Sequence, residues 1–296
     1  MNLLSDKDIE NAFAELKTDP EKSGISTGWK SLDEFWRVEK GQLNIITGIP
    51  SHGKSEFMDA LMVNLYEIWR WRHIIFSPEN YPIKTHIRKI SEKLMGKRFH
   101  FEPNDYDYNE AMSSIKSNFL MINTGDEGTN LGPILKMTQE TKGIDLLVID
   151  PWNELEETGN SRNETEFIGK TLRSARRWAR FYKIALFIVA HPHMLKVEKG
   201  VTPVPTAYNI SGSAHWYNKA DNIICVHREG IETQIHIQKV KFSYVGKPGI
   251  IKLRYDVRSG RYDEWTDADE HEVRQRAMQQ NQQDFASTLA RTGERL

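Results

Sequence analysis

The sequence holds a single cysteine, Cys225, among 296 residues. That excludes an internal disulfide and any cysteine-cluster zinc site built within the chain. In the run NIICV it reads as a small buried apolar side chain. Stretches of about 18 apolar residues are missing, and the opening MNLLSDKDIENAF has neither a basic n-region nor a long apolar h-region. Nothing in it is expected to span a bilayer or direct secretion, and the expected location is cytoplasmic. An excess of charge is missing too, because 40 Lys and Arg stand against 41 Asp and Glu for a formal net charge of −1. No overall polycation marks a nucleic-acid binder, so contact with DNA or RNA has to come from a local patch. There is no internal repeat of about 20 to 50 residues. What is present, 39% hydrophobic and 27% charged side chains, suits one large globular domain or two modest ones.

Residues 6 to 17 carry Ile9, Phe13 and Leu16 at helical spacing, with Ser5 placed as an N-cap and Pro20 and Gly24 breaking the pattern. Residues 1–24 therefore read as an amphipathic arm and linker, which either packs on its own domain or docks on a neighbouring copy. Between residues 25 and 265, short apolar runs (LNIITG, HIIFS, FLMIN, DLLVID, IALFIVA, DNIICVHR) alternate with helical stretches. Such runs are strands buried on both faces, so the expected fold is α/β with a mainly parallel sheet flanked by helices. TQIHIQKVKFSYV, GIIKLRYD and the turn Ser259-Gly260 read instead as hairpin-joined antiparallel edge strands. Residues 266–296 are polar and glutamine-rich, which predicts a frayed helix or disorder, with recruitment of a partner as the alternative.

The sharpest local signal is Gly48-Ile49-Pro50-Ser51-His52-Gly53-Lys54-Ser55, a GxxxxGK[ST] pattern directly after one strand and before a helix. Its glycines let backbone N–H groups converge on phosphate oxygens at a helix N-terminus. Lys54 supplies a point charge to the β and γ phosphates, and Ser55 a magnesium ligand. A magnesium–nucleotide site also needs a carboxylate at a neighbouring strand end, which Asp150 supplies after four apolar residues. Glu79, after HIIFSP, is a second carboxylate at the same sheet edge and a candidate to polarise the attacking water. His191, after IALFIVA, can hydrogen-bond a γ-phosphate and report its loss. On these residues alone, the chain reads as a P-loop ATPase using ATP or another nucleoside triphosphate with Mg²⁺.

Taken together, STGWKSLDEFW, GIPSHGKSEFMDAL, FSPEN, VIDPWNELE with ETEFI beyond it, FIVAHP, YNISGSAHWYNKADN and QKVK resemble the RecA-type motor domain of DnaB-like replicative ring helicases. The likeness is nearest to the Twinkle branch and its phage relatives and runs from about Ile25 to Asp263. The resemblance implies that Glu79 activates water and that His191 senses phosphate and links it to DNA. It implies that Arg228 and Tyr255 sandwich the base, and that DNA is held by the loop after His193, through Lys196, Lys199, Gly212 and Ser213. One type of relative has Arg where Ser211 stands, so that phosphate contact has to come from elsewhere. The partners implied are single-stranded DNA and a forked duplex, further copies of the chain in a ring, hexameric in the family, and a primase or polymerase. The single cysteine and lack of a leading domain lead us to expect no zinc-binding primase module.

Lys239 and Lys241 sit two apart on IHIQKVKF, so their side chains share a face, and by parity that face continues Ile235 and Ile237. Bare ammonium groups there need a counter-charge, for which a phosphate on the neighbouring subunit is the candidate. The family places a basic pair at this point, usually with Arg second; Lys241 can neutralise charge but cannot form the bidentate fork. Arg173, Arg176, Arg177 and Arg180, on TEFIGKTLRSARRWARFY, read as a solvated or subunit-facing surface. Two other functions fit the phosphate motif: a RecA-like DNA-binding ATPase that forms filaments or loads other proteins without unwinding, and a monomeric P-loop kinase acting on a small molecule.

Overall fold

The apolar runs become the centre of one nine-stranded sheet with strand order β3-β2-β4-β5-β1-β6-β7-β8-β9. The computed structural model describes residues 3–18, 24–100, 106–123, 128–156, 164–193, 195, 203–210, 213–276, 278–279 and 282. In chain order the elements are α1 (Asp6–Thr18), α2 (Lys30–Asp33), β1 (Leu43–Thr47), α3 (Lys54–Trp69), β2 (His73–Phe76), α4 (Ile83–Met95), α5 (Tyr106–Asn118) and β3 (Phe119–Met121). They continue with α6 (Leu131–Glu140), β4 (Leu146–Ile149), α7 (Glu164–Tyr182), β5 (Ala185–Val189), α8 (Ser213–Lys219), β6 (Asn222–Glu229), β7 (Glu232–Val240), β8 (Gly249–Tyr255) and β9 (Tyr262–Glu264). Strands β3 to β6 of that order pair in parallel, and β6 to β9 pair antiparallel. The mainly parallel sheet with an antiparallel edge is thus as expected.

Burial on both faces follows from the side-chain alternation. On β5, Ala185, Phe187 and Val189 join the core beneath α3, while Leu186 and Ile188 join the core beneath α7 and α8. Helix α7 lays Ile168, Leu172, Ala175 and Ala179 on that second core, an apolar stripe of helical period.

Its basic stripe departs from expectation. Arg176 donates two hydrogen bonds to the fully buried Asp221, Arg180 donates a third at 3.2 Å, and the Leu43 N–H of β1 a fourth at 3.1 Å. Two of the four arginines therefore pair with Asp221, Arg176 largely buried and Arg180 still exposed, because the Asp221 carboxylate between α8 and β6 has no water to solvate it. The arm differs in the other direction. Ser5 caps α1, accepting from the Asp8 N–H at 3.2 Å, yet Ile9 and Phe13 are 46% and 61% exposed. The described apolar side of the arm is not covered by its own domain; the Leu16 side chain lies outside the described residues. The start of the polar tail is ordered helix over 267–276, capped by Thr266 and bound to β8 through Arg254 with Asp269 and Glu272, and Lys252 with Glu270. Those ion pairs are invisible to apolar periodicity; beyond residue 276 the tail lies, except for 278–279 and 282, outside the described residues.

Removing Asp221 leaves Arg176 without its buried counter-ion. Asp221→Ala is expected to destabilise the fold by about 3–5 kcal/mol, read as a lowered urea midpoint at unchanged slope; an unchanged midpoint would deny this ion cluster its structural weight.

Candidate nucleotide site at the carboxyl ends of the parallel strands

Parallel pairing sends the carboxyl ends of β2, β4, β5 and β1, adjacent in that order, to one edge of the sheet. The loops leaving them carry Glu79, Asp150, His191 and residues 48–53. Register adds a further wall. Because Thr47 pairs with Cys225, the longer β6 runs on past the end of β1, carrying Val226, His227 and Arg228 alongside the phosphate loop. At Gly48 (φ 148°) a Cβ would lie 2.2 Å from the Val226 carbonyl oxygen, so only glycine fits. Ser51 and Gly53 take left-handed conformations, and Gly53 caps α3.

Lys54, 5% exposed, folds back over the loop and donates to the Gly48 and Ile49 carbonyls at 2.9 and 3.2 Å. Burial pushes its pKa down, against the pull of Asp150 and Glu79. Asp150 is also 5% exposed and accepts a hydrogen bond from Ser55. Burial raises its pKa to about 6, overcoming that bond. Glu79 is exposed in a turn closed by the Asn80 N–H on the Ser77 carbonyl at 3.2 Å. His191 is partly buried; desolvation, then Lys54, lowers its pKa. It lines a cavity of about 130 Å³ with Trp152, Phe167 and Trp216.

Arg228 and Tyr255 also meet here, stacked on each other at 5.1 Å, with Arg228 donating to the Ser51 carbonyl at 3.1 Å and its N–H to His52 Nδ1 at 3.2 Å. Sequence reasoning missed two neighbours. His227 lies 4.8 Å from His52, ring to ring, and the Tyr262 hydroxyl backs the Gly53 carbonyl at 3.5 Å. The His227 position follows from the register of β6 alone. Tyr262 is fixed by Trp29 of STGW, whose Nε1 donates to its carbonyl at 2.7 Å, a pairing no local pattern announces.

Lys239 and Lys241 correct the parity argument. A bulge in β7 pairs Ile223 with Lys239 but Ile224 with Ile237, so Lys239 leaves the face of Ile235 and Ile237 for the α7 and α8 side. There it caps the end of α8, donating to the Tyr217 and Ala220 carbonyls. Lys241 Nζ lies 3.8 Å from Asp221 Oδ1. Both ammonium groups thus have partners within the chain, and no phosphate is needed to account for them. Of the DNA-loop residues, Lys196, Lys199 and Gly212 lie outside the described residues, as does Ser211; Ser213 opens α8.

A parallel sheet with a glycine loop, lysine and serine at the end of β1, and a buried aspartate two strands away, defines a RecA-like P-loop nucleotide-binding domain. Solved structures share this fold. One, an ATPase domain, aligns with a TM-score of 0.75 at 17% identity, over 90% of this chain and 100% of that one. A DnaB-like replicative helicase, solved for its interactions with primase, aligns at 0.71 and 16% identity, over 90% and 68%. The RadB recombinase aligns at 0.57 and 12% identity, over 82% and 100%. Residues 24–264 match the DnaB-like helicase C-terminal domain, and the chain belongs to that family. It is 34% identical over 277 residues to the Twinkle homolog protein, chloroplastic/mitochondrial, of Arabidopsis thaliana, covering 84% of this chain. It spans 37% of that relative's length.

The raised Asp150 pKa has a thermodynamic consequence. Its folded value, about 6, exceeds the ordinary 3.8, so the carboxylate charge opposes folding. Stability linked to it is fully present below about pH 4 and lost as pH rises through about 6. In metal-free protein at about pH 7, Asp150→Asn is expected to gain on the order of 1–3 kcal/mol and a higher melting temperature, the gain vanishing near pH 4. An equal or lower melting temperature at neutral pH would contradict this.

Proposed function

We propose that residues 25–265 form the motor of an ATP-driven DNA helicase, which assembles with its own copies as a ring, hexameric in our reading, moves on single-stranded DNA and opens a forked duplex. The observation that carries the proposal is the convergence of Lys54, the Ser55–Asp150 pair and Glu79 on one strand edge of a DnaB-like chain.

Backbone N–H groups of the loop and of the first turn of α3 receive the phosphates. Lys54 exchanges two carbonyl partners for β and γ phosphate oxygens, and its desolvation strengthens that attraction. The Ser55 hydroxyl and Asp150 carboxylate are hard oxygen donors suited to Mg²⁺, and burial of an ionised Asp150 favours a cation beside it. Bound there, Mg²⁺ supplies neutralisation of charge on the β and γ phosphates. Glu79 orients the attacking water and accepts its proton. His191 reads the terminal phosphate. Arg228 leaves the face of Tyr255 so that the base enters between them, and Ser51, His52, Gly48 and Gly53 shape the loop.

Lys196, Lys199, Gly212 and Ser213 are assigned to DNA phosphates. Lys239 anchors the strand end from which Lys241 reaches a neighbour's γ-phosphate, releasing Asp221. The exposed apolar side of α1 is assigned to docking on an adjacent copy. A primase or polymerase is the further partner. Among the described residues no helix is long and apolar enough to cross a membrane. A cytoplasmic place, the host's if the chain is phage-encoded, completes the reading; the Arabidopsis relative is named for chloroplasts and mitochondria.

Lys54→Ala is expected to abolish both ATP hydrolysis and fork unwinding while the protein stays folded. Glu79→Gln should bind nucleotide normally but lose at least about a hundredfold in turnover, as expected for a lost general base. Wild-type turnover in either variant, or ATP hydrolysis without strand separation by an assembled wild-type ring, would reject the reading.

A second outcome concerns the subunit boundary. Lys241→Ala should bind nucleotide yet lose DNA-stimulated hydrolysis, and mixing it with excess Lys54→Ala subunits should restore part of it through composite sites. Full hydrolysis by Lys241→Ala alone would place the site within one subunit.

A further inference from the structure

Two ionic links join the turn of α3 that follows the phosphate loop to the turn of α4 that follows Glu79. In the first, Asp59 stands four residues after Ser55, one turn on along the same face of α3. It accepts from His86 Nε2, in the first turn of α4, at 2.9 Å, and the two side chains are only 4% and 2% exposed. Burial works against both charges. Each partner nevertheless outweighs it for the other, lowering the Asp59 pKa and raising that of His86. In the second link, Lys89 on the next turn of α4 reaches Glu56 Oε1 at 3.1 Å and Asn80 Oδ1 at 3.2 Å, while the buried Lys93, one turn further along α4, holds Glu56 Oε2 at 2.5 Å and so fixes the α3 end of the link. Asn80 follows Glu79 directly, and Glu56 follows Ser55 directly. A single ammonium therefore spans from the neighbour of the proposed water-activating residue to the neighbour of the magnesium-binding serine.

Packing alone does not account for this arrangement. Ile90 already buries completely between α4 and the core. Asp59 Oδ2, buried, has no hydrogen-bond partner among the described residues. A buried oxygen without a partner costs stability. The ionic links thus cluster where the two catalytic loops enter their helices.

We propose that Asp59–His86 and Glu56–Lys89–Asn80 form a positioning clamp, which holds the Glu79 turn at a set distance from Ser55 and Asp150 so that hydrolysis depends on residues that touch no nucleotide. The proposal rests on the reading of Glu79 as the residue that activates water. The clamp acts on turnover and not on affinity, because it fixes the position of the attacking water's partner while the phosphate loop itself is unchanged.

The test uses the full chain with ATP and single-stranded DNA. Lys89→Ala, partly exposed and expected to fold, should lower kcat about tenfold to a hundredfold, in keeping with the cost of an ångström-scale misplacement, with KM within about twofold. His86→Ala should do the same, and His86→Gln, whose amide can still donate to Asp59, should recover most of the rate. In a Glu79→Gln background, Lys89→Ala and His86→Ala should cost nothing further, because the residue they position is gone. Wild-type kcat in both single variants, a loss confined to KM, no recovery in His86→Gln, or costs that add fully to Glu79→Gln would overturn the clamp. If Glu79→Gln itself turns over normally, the reading beneath the clamp fails, and that result is distinct from all of these.

Discussion

Everything at the candidate site depends on the parallel pairing of β1 between β5 and β6. Parallel strands put all their carboxyl ends on one edge, so four loops separated widely in sequence open at one place. The register of β6 against β1 then carries Arg228 and His227 beyond the strand end, against Ser51 and His52. A slip of one residue would turn Val226 away from Gly48 and remove the wall that makes glycine obligatory there.

The edge so formed is electrostatically costly. Lys54 loses most of its water and satisfies itself on two loop carbonyls, while Asp150 carries a carboxylate that burial disfavours. A charge of opposite sign brought beside either group would favour its ionised form. Away from the edge, charge is treated differently. Asp221 is equally buried but surrounded by Arg176, Arg180, Lys241 and a backbone N–H, so it binds α7 to β1 and β6. Asp59 is intermediate, with one oxygen satisfied by His86 and the other without a hydrogen-bond partner among the described residues. The molecule thus separates charges that hold its frame from charges left incomplete near the site.

The phosphate loop, the strand-end carboxylates and the mainly parallel sheet were legible in the linear order of residues. Each is a local matter: glycines that permit left-handed backbone, a lysine and serine at a helix start, and apolar runs too continuous for a half-solvated strand. Other features were decided only in three dimensions. The bulge in β7 moved Lys239 to the opposite face from the one its parity implied, since one extra residue inverts every alternation after it. Arg176 and Arg180 read as a surface stripe until Asp221, more than forty residues on, engaged both and buried most of Arg176. Tyr262 reached Gly53 across 209 residues, and His86 found Asp59 across 27. Sequence alone determined the chemistry available, because backbone freedom, charge and hydropathy belong to single residues and short windows. Tertiary structure decided which charges met, because that depends on strand register and helix docking, and those are settled by packing across the whole sheet.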